Sequence, residues 1–122
     1  MPITVAWDDE ARTTIAFTYE GHWGWEEFYE SVEQSNTLMG SVSHPVDVII
    51  NLQNSFLMPQ NMLSHLARMP KIAHPNTSSI VVVGANSLVH ALSNLFIRLY
   101  GNNDRKFRIV RTLEDGRQFL KS

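Results

Sequence analysis

The chain has 122 residues, the size of one domain, since domains commonly hold about 100–200 residues. With 43% hydrophobic and 18% charged residues, it has the composition of a globular protein and not of a disordered one. It contains no cysteine, which excludes disulfides, zinc–thiolate sites, iron–sulfur clusters and cysteine nucleophiles. The longest apolar stretch, at residues 80–83, is far shorter than the ~20 residues of a membrane helix, and the amino-terminal segment lacks the pattern of a signal peptide. We therefore expect a cytoplasmic protein with no membrane span.

Charge is unevenly distributed along the chain. Residues 1–50 carry nine acids and one base, a net charge of −8, whereas residues 51–122 carry three acids and nine bases, a net charge of +6. A basic segment can bind nucleic acid, but these bases have few aromatic residues among them, and a pI of about 6.2 is not typical of a nucleic-acid-binding protein. We favour the interpretation that the two halves face each other, within one fold or across a dimer.

The first third of the chain predicts a hairpin and then a helix. Residues 3–7 and 13–19 alternate apolar with small or polar side chains across a short polar break, which is typical of an antiparallel β-hairpin. From Trp23 to about Met39 the apolar residues recur at helical spacing, and glutamates occupy the opposite face. This pattern predicts an amphipathic helix.

Two continuous apolar segments follow, at residues 46–52 and 79–84. Consecutive apolar residues indicate strands that are buried on both faces, as in the interior of a parallel sheet. Between them, Pro59 suits the first turn of a helix that we expect to run to about Met69.

The last part of the chain continues the alternation of helix and strand. Asn86 or Ser87 can cap a helix after the second apolar segment, and residues 107–111 form the next predicted strand. Thr112 can cap a short final helix, which Gly116 weakens. The sequence thus predicts a single α/β domain over residues 1–122, with a mixed sheet of about five strands and four helices. An antiparallel hairpin comes first in this sheet, and the later strands are parallel.

This order of elements resembles the STAS-like superfamily, the fold of sulfate-transporter and anti-sigma-factor antagonist domains. It looks most similar to a poorly characterised bacterial branch that is often grouped with lipid-binding Sec14-type domains. The resemblance spans nearly the whole chain. The hairpin, residues 46–52 with the helix after them, residues 80–84 with their helix, and residues 107–120 carry it. It implies a non-enzymatic regulatory or protein-interaction module.

The resemblance also implies one candidate modification site. In the antagonist branch, the loop after the third strand carries Asp-Ser followed closely by glycine, and the serine is phosphorylated. The matching residues here are Asn54 and Ser55, and the bulky Phe56, Leu57 and Met58 stand where the glycine would follow. Ser55 is therefore the candidate phosphoacceptor, and the departures predict a module without the usual phosphorylation switch.

Apolar residues near turns form a candidate interface or ligand surface. Trp23 and Trp25 open the first helix, and Phe56, Leu57 and Met58 occupy a loop that polar residues would normally fill. Contiguous exposed apolar side chains usually mark an interface, although such a loop can also tuck into the edge of the core.

Catalytic and metal-binding patterns are absent. The five histidines show no HExxH spacing, and no GxSxG, GxGxxG or P-loop pattern occurs. We therefore predict no catalytic residue, no metal and no cofactor. The favoured function is an interaction module that forms a homodimer, because a sheet with helices on only one face needs a second subunit as a cover. The alternative functions are a small apolar-ligand or lipid-binding domain and, third, a small enzyme with histidine or carboxylate chemistry.

Overall fold

The computed structural model describes residues 2–55, 60–61, 64–65, 67–68, 74–100 and 107–121. In these residues the chain forms five strands and three helices. In chain order they are β1 (Ile3–Trp7), β2 (Thr14–Glu20), α1 (Trp25–Gly40), β3 (Val46–Asn54), β4 (Thr77–Val83), α2 (Ser87–Tyr100), β5 (Phe107–Val110) and α3 (Leu113–Lys121). None of the helices in this part of the chain has the length and apolar character that crossing a membrane requires.

The five strands form one sheet in the order β1-β2-β3-β4-β5. β1 and β2 run antiparallel, whereas the neighbouring strands from β2 to β5 run parallel. The predicted mixed α/β sheet with an amino-terminal hairpin is confirmed, and the two apolar segments pair as its inner strands. The described residues hold three helices and not the predicted four. Five of the eleven residues of the helix predicted from Pro59 to about Met69 lie outside the described ranges, and of the other six, Ser64 and His65 are helical.

The strand order decides where the helices lie. From β2 to β5 each strand is added on the same side of the one before it, so right-handed connections place their helices on one face of the sheet. α1 and α2 lie on that face, where Phe28 and Leu88 share a core with Val48. α3 follows the last strand, and its Leu113 packs on the opposite face in a second core that includes Val81.

The inner strand β4 supplies side chains to both cores. Val82 belongs to the core with α1 and α2, whereas the fully buried Val81 and Val83 belong to the core with α3. This confirms the prediction that the apolar segments are buried on both faces. It also removes the reason given for a dimer, because α3 of the same chain covers the second face over these residues.

Polar contacts define the ends of the later elements. Asn86 Oδ1 accepts a hydrogen bond from the Val89 N–H at 3.1 Å at the start of α2, and Thr112 Oγ1 accepts one from the Asp115 N–H at 3.1 Å at the start of α3. Both residues therefore cap the helices that they were predicted to cap. At the amino end of β4, the Ser79 N–H donates to Asp47 Oδ1 at 3.1 Å. This bond joins β4 to β3 beside the main-chain ladder.

α3 is held to the sheet by a close backbone approach and an ion pair. A Cβ atom at Gly116 would lie 2.9 Å from Cγ1 of Val81, so the residue that weakens the helix also permits the contact. Arg117 donates from Nε and Nη2 to the Asp8 carboxylate, at 2.9 and 2.7 Å. This bidentate pair joins the basic half of the chain to the acidic half within one molecule.

Replacing Gly116 with alanine should destabilise the protein, although alanine favours a helix by about 1 kcal/mol. Val81 is fully buried and β-branched, so it cannot turn away from the added methyl group without shifting the core. We expect a net loss on the order of 1 kcal/mol and a melting temperature lower by several degrees in thermal denaturation. Gly40→Ala is the matched control, because nothing lies within 4 Å of a Cβ atom there, and it should keep or raise the melting temperature. An unchanged melting temperature in Gly116→Ala would contradict the close packing of α3.

Candidate functional site

Ser55 lies immediately after β3 and is fully buried. Its hydroxyl donates to the Gly21 carbonyl at 3.1 Å and accepts from Trp23 Nε1 at 3.0 Å. Its N–H donates to the Leu52 carbonyl at 3.2 Å, and its own carbonyl accepts from Asn86 Nδ2 at 3.0 Å. Ser55 therefore ties the carboxyl end of β3 to the segment before α1 and to the start of α2.

The turn between β4 and α2 also contributes to this junction. Gly84 has a φ of +144°, which side chains of L-residues rarely tolerate, and a Cβ atom there would lie 2.8 Å from Cγ2 of Val89. Two residues later, Asn86 Nδ2 donates to both Leu52 and Ser55 carbonyls at 3.0 Å. The polar groups of this turn thus satisfy the chain's own backbone.

In this arrangement the candidate phosphoacceptor is a structural hydroxyl. A kinase would have to expose a side chain of 0% accessibility and break the bonds of Ser55 to Trp23 and Gly21. Phosphorylation of Ser55 stays a prediction. Phe56, Leu57 and Met58 lie outside the described residues, and the surface predicted there also stays a prediction.

The two tryptophans of the predicted surface meet in an aromatic cluster at the start of α1, formed by Trp23, Trp25, Phe28, Tyr29 and His65. The rings of Trp23 and Trp25 lie 5.4 Å apart edge to face, and the indole of Trp25 stacks on His65 at 4.1 Å. His65 Nδ1 and the Tyr29 hydroxyl share a hydrogen bond of 2.6 Å, and Trp25 Nε1 donates to the Gln60 carbonyl. The cluster holds Gln60 and His65 against α1.

A partly open cavity of about 60 Å³ lies between α1 and the sheet, where β2, β3 and β4 form its floor. Its wall is almost entirely apolar and includes Phe17, Phe28, Val32, Met39, Val48 and Ile80. The described wall contains no Asp, Glu, Lys or Arg. Its titratable residues are Tyr19 and His74. Phe28 belongs to both the wall and the aromatic cluster, so the two features adjoin.

Three hydroxyl groups belong to residues of the cavity wall, and they differ in their partners. Ser35 donates to the Val32 carbonyl at 2.9 Å, and Thr77 donates to Met39 Sδ at 3.6 Å. The Tyr19 side chain is only 3% exposed, yet its hydroxyl has no hydrogen-bond partner among the described residues. In this part of the chain, every side-chain polar atom that is sealed from solvent has a hydrogen-bond partner. The Tyr19 hydroxyl is therefore not sealed, and the cavity is the open space that Tyr19 borders.

Sequence reasoning identified Ser55 and the two tryptophans, predicted Asn86 only as a helix cap, and missed Tyr19 and Tyr29. It singled out no histidine as a metal ligand, and in the described residues no three His, Asp or Glu side chains lie close enough together to bind a metal. Tyr29 and His65 are 36 residues apart, so no local spacing could pair them. In the sequence, Tyr19 has the pattern of an ordinary strand residue, and only the packed structure shows the cavity beside it.

No protein-family model, no curated protein and no solved structure matches this chain. The function is therefore inferred from the chain's own residues.

Replacing Ser55 with alanine should destabilise the protein by about 1–3 kcal/mol, because Trp23 Nε1 and the Gly21 carbonyl lose their partner at a buried junction. Urea denaturation followed by tryptophan fluorescence measures the change. Ser41→Ala is the matched control, since the exposed Ser41 hydroxyl donates to the Leu38 carbonyl just past α1. The control should stay within about 0.5 kcal/mol of the parent. Equal losses in both variants would contradict the role given to Ser55.

Proposed function

We propose that this chain is a non-enzymatic binding domain whose cavity between α1 and the sheet takes a small apolar ligand. The apolar wall of the cavity carries this proposal. The apolar side chains that line this open cavity are in contact with solvent, and an apolar ligand that covers them removes their surface from water, which is worth about 25 cal/mol per Å².

The size of the cavity limits the ligand. Since a water molecule occupies ~30 Å³ of the liquid, 60 Å³ encloses about two groups of that size. Pockets for drug-sized ligands are larger, roughly 300–1,000 Å³. The proposal is therefore a very small apolar molecule, or a longer one that inserts only its end through the open side.

The composition of the wall favours binding over catalysis. General acid–base or nucleophilic chemistry needs at least two cooperating polar groups within reach of the substrate. The described wall offers His74 without a carboxylate beside it, and His74 Nδ1 already accepts from the Asn76 N–H at 3.1 Å. A site of this composition supports enclosure of a ligand and not its conversion.

Titration with n-pentane, followed by NMR of the side-chain methyl groups, tests the proposal. We expect saturable shifts at Val48, Met39 and Ile80, which line the cavity, and smaller shifts elsewhere. Val32→Phe places a ring at the wall and should abolish these shifts. Val110→Phe is the matched control, because Val110 is half-buried against the core with α3, on the opposite face of the sheet, and it should leave them intact. Absence of saturable shifts in the parent, or equal shifts in Val32→Phe, would refute a cavity site.

A second candidate function is the protein-interaction module that the resemblance implies, and the charge distribution favours it. Glu26, Glu30 and Glu33 are exposed on the outer face of α1, and none of them has an ion-pair partner in the described part of the chain. Exposed bases lie at β5 and α3, namely Arg108, Arg111 and Lys121. Because α1 and α3 cover opposite faces of the sheet, these two surfaces cannot meet within one molecule.

For this candidate we propose a second copy of the chain as the partner, with its basic surface against the acidic face of α1. Such a contact is head-to-tail, so it closes into a ring or extends as an open chain. Sedimentation velocity should show concentration-dependent association at low ionic strength that disappears at high ionic strength. Glu30→Lys should weaken the association, and Glu10→Lys, at an exposed position in the β1–β2 turn, should not. A monomer at both ionic strengths would exclude this partner.

A further inference from the structure

We propose that the ligand of the cavity is a neutral molecule with an apolar body and one oxygen atom, and that the Tyr19 hydroxyl donates a hydrogen bond to that oxygen. This inference rests on the proposed ligand-binding function and specifies the chemical class of the ligand.

The state of the wall hydroxyls is the first support. Ser35 and Thr77 use their hydrogens within the protein, on the Val32 carbonyl and on Met39 Sδ. Tyr19, 97% removed from solvent, has no such partner among the described residues and borders the cavity. Because no sealed polar side-chain atom lacks a partner in this part of the chain, the Tyr19 hydroxyl is open and able to bond to a molecule that enters the cavity. An oxygen atom of the ligand would take that bond.

The direction of the hydrogen bond follows from the state of the phenol. Burial raises the pKa of Tyr19 above its usual range, so the group is a protonated donor at any ordinary pH. The described wall has no carboxylate that could accept from it. The missing partner is therefore an acceptor, such as a carbonyl, ether or hydroxyl oxygen.

The neutrality of the ligand follows from the other wall residues. An ion in an apolar cavity needs a counter-charge, and the described wall has neither Lys nor Arg. His74 Nδ1 already accepts from the Asn76 N–H at 3.1 Å, so this nitrogen is not free to bond to a ligand. A carboxylate or ammonium ligand would thus lack a counter-charge in the cavity, whereas a ketone or an ether needs no counter-charge.

The test compares three probes of similar chain length by methyl NMR titration: n-pentane, 2-pentanone and pentanoate at neutral pH. Tyr19→Phe keeps the ring and removes a hydroxyl that has no protein partner in the described structure, so the variant should fold like the parent. We expect it to weaken 2-pentanone binding by about 3- to 10-fold and to change n-pentane binding by less than about twofold. Pentanoate should bind the parent at least about tenfold more weakly than 2-pentanone does.

Tyr29→Phe is the matched control, because it also removes a phenol hydroxyl, but from the bond to His65 in the aromatic cluster and not from the cavity wall. It should alter neither probe. If Tyr19→Phe leaves 2-pentanone binding unchanged, or weakens both probes equally, the hydrogen bond is overturned while n-pentane binding in the parent still upholds the proposed function. Tight binding of pentanoate would overturn the neutrality of the ligand. If none of the probes binds the parent, both proposals fail.

Discussion

The parallel pairing of β3 with β4 is the constraint on which the rest of the molecule depends. Each strand presents consecutive apolar residues, so each supplies side chains to the core with α1 and α2 and to the core with α3. Because successive side chains of the same two strands point to opposite cores, the position of these strands fixes both cores together. The order of the strands then places the helices: α1 and α2 lie on one face of the sheet, and α3, which follows β5, lies on the other.

The carboxyl ends of these two strands are where the polar contacts concentrate. Asn86 donates to the Ser55 carbonyl, and the Ser55 hydroxyl accepts from the Trp23 indole N–H at the same junction. In open α/β sheets such strand ends commonly hold ligands where the connections diverge to opposite faces. Here the connections from β2 to β5 advance in one direction, so the strand order has no such point of divergence. The cavity lies instead beneath α1, on the helix-covered face of the sheet.

The elements could be predicted because their signals are local. The alternation at residues 3–7, the helical spacing after Trp25 and the unbroken apolar runs each lie within one short segment, and all of these elements formed within one or two residues of the expected bounds. The site could not be predicted in the same way. Trp23 meets Ser55 across 32 residues, and the cavity depends on how α1 packs over three strands. Gly116 shows how far local prediction reaches within one element. The local pattern shows that it weakens α3, but not that it allows α3 to approach Val81 closely.

The valines of β4 have a further consequence for how the strand finds its alignment. Val81, Val82 and Val83 are chemically identical, so a slip by one residue would exchange side chains between the cores with little penalty from their hydrophobicity. Residues outside these three valines must therefore set the alignment of β4 with its neighbours. One marker is specific to its residue: Gly84, directly after the valines, has a backbone conformation that its neighbours could not adopt. Gly84 therefore fixes an alignment that the three identical valines leave open.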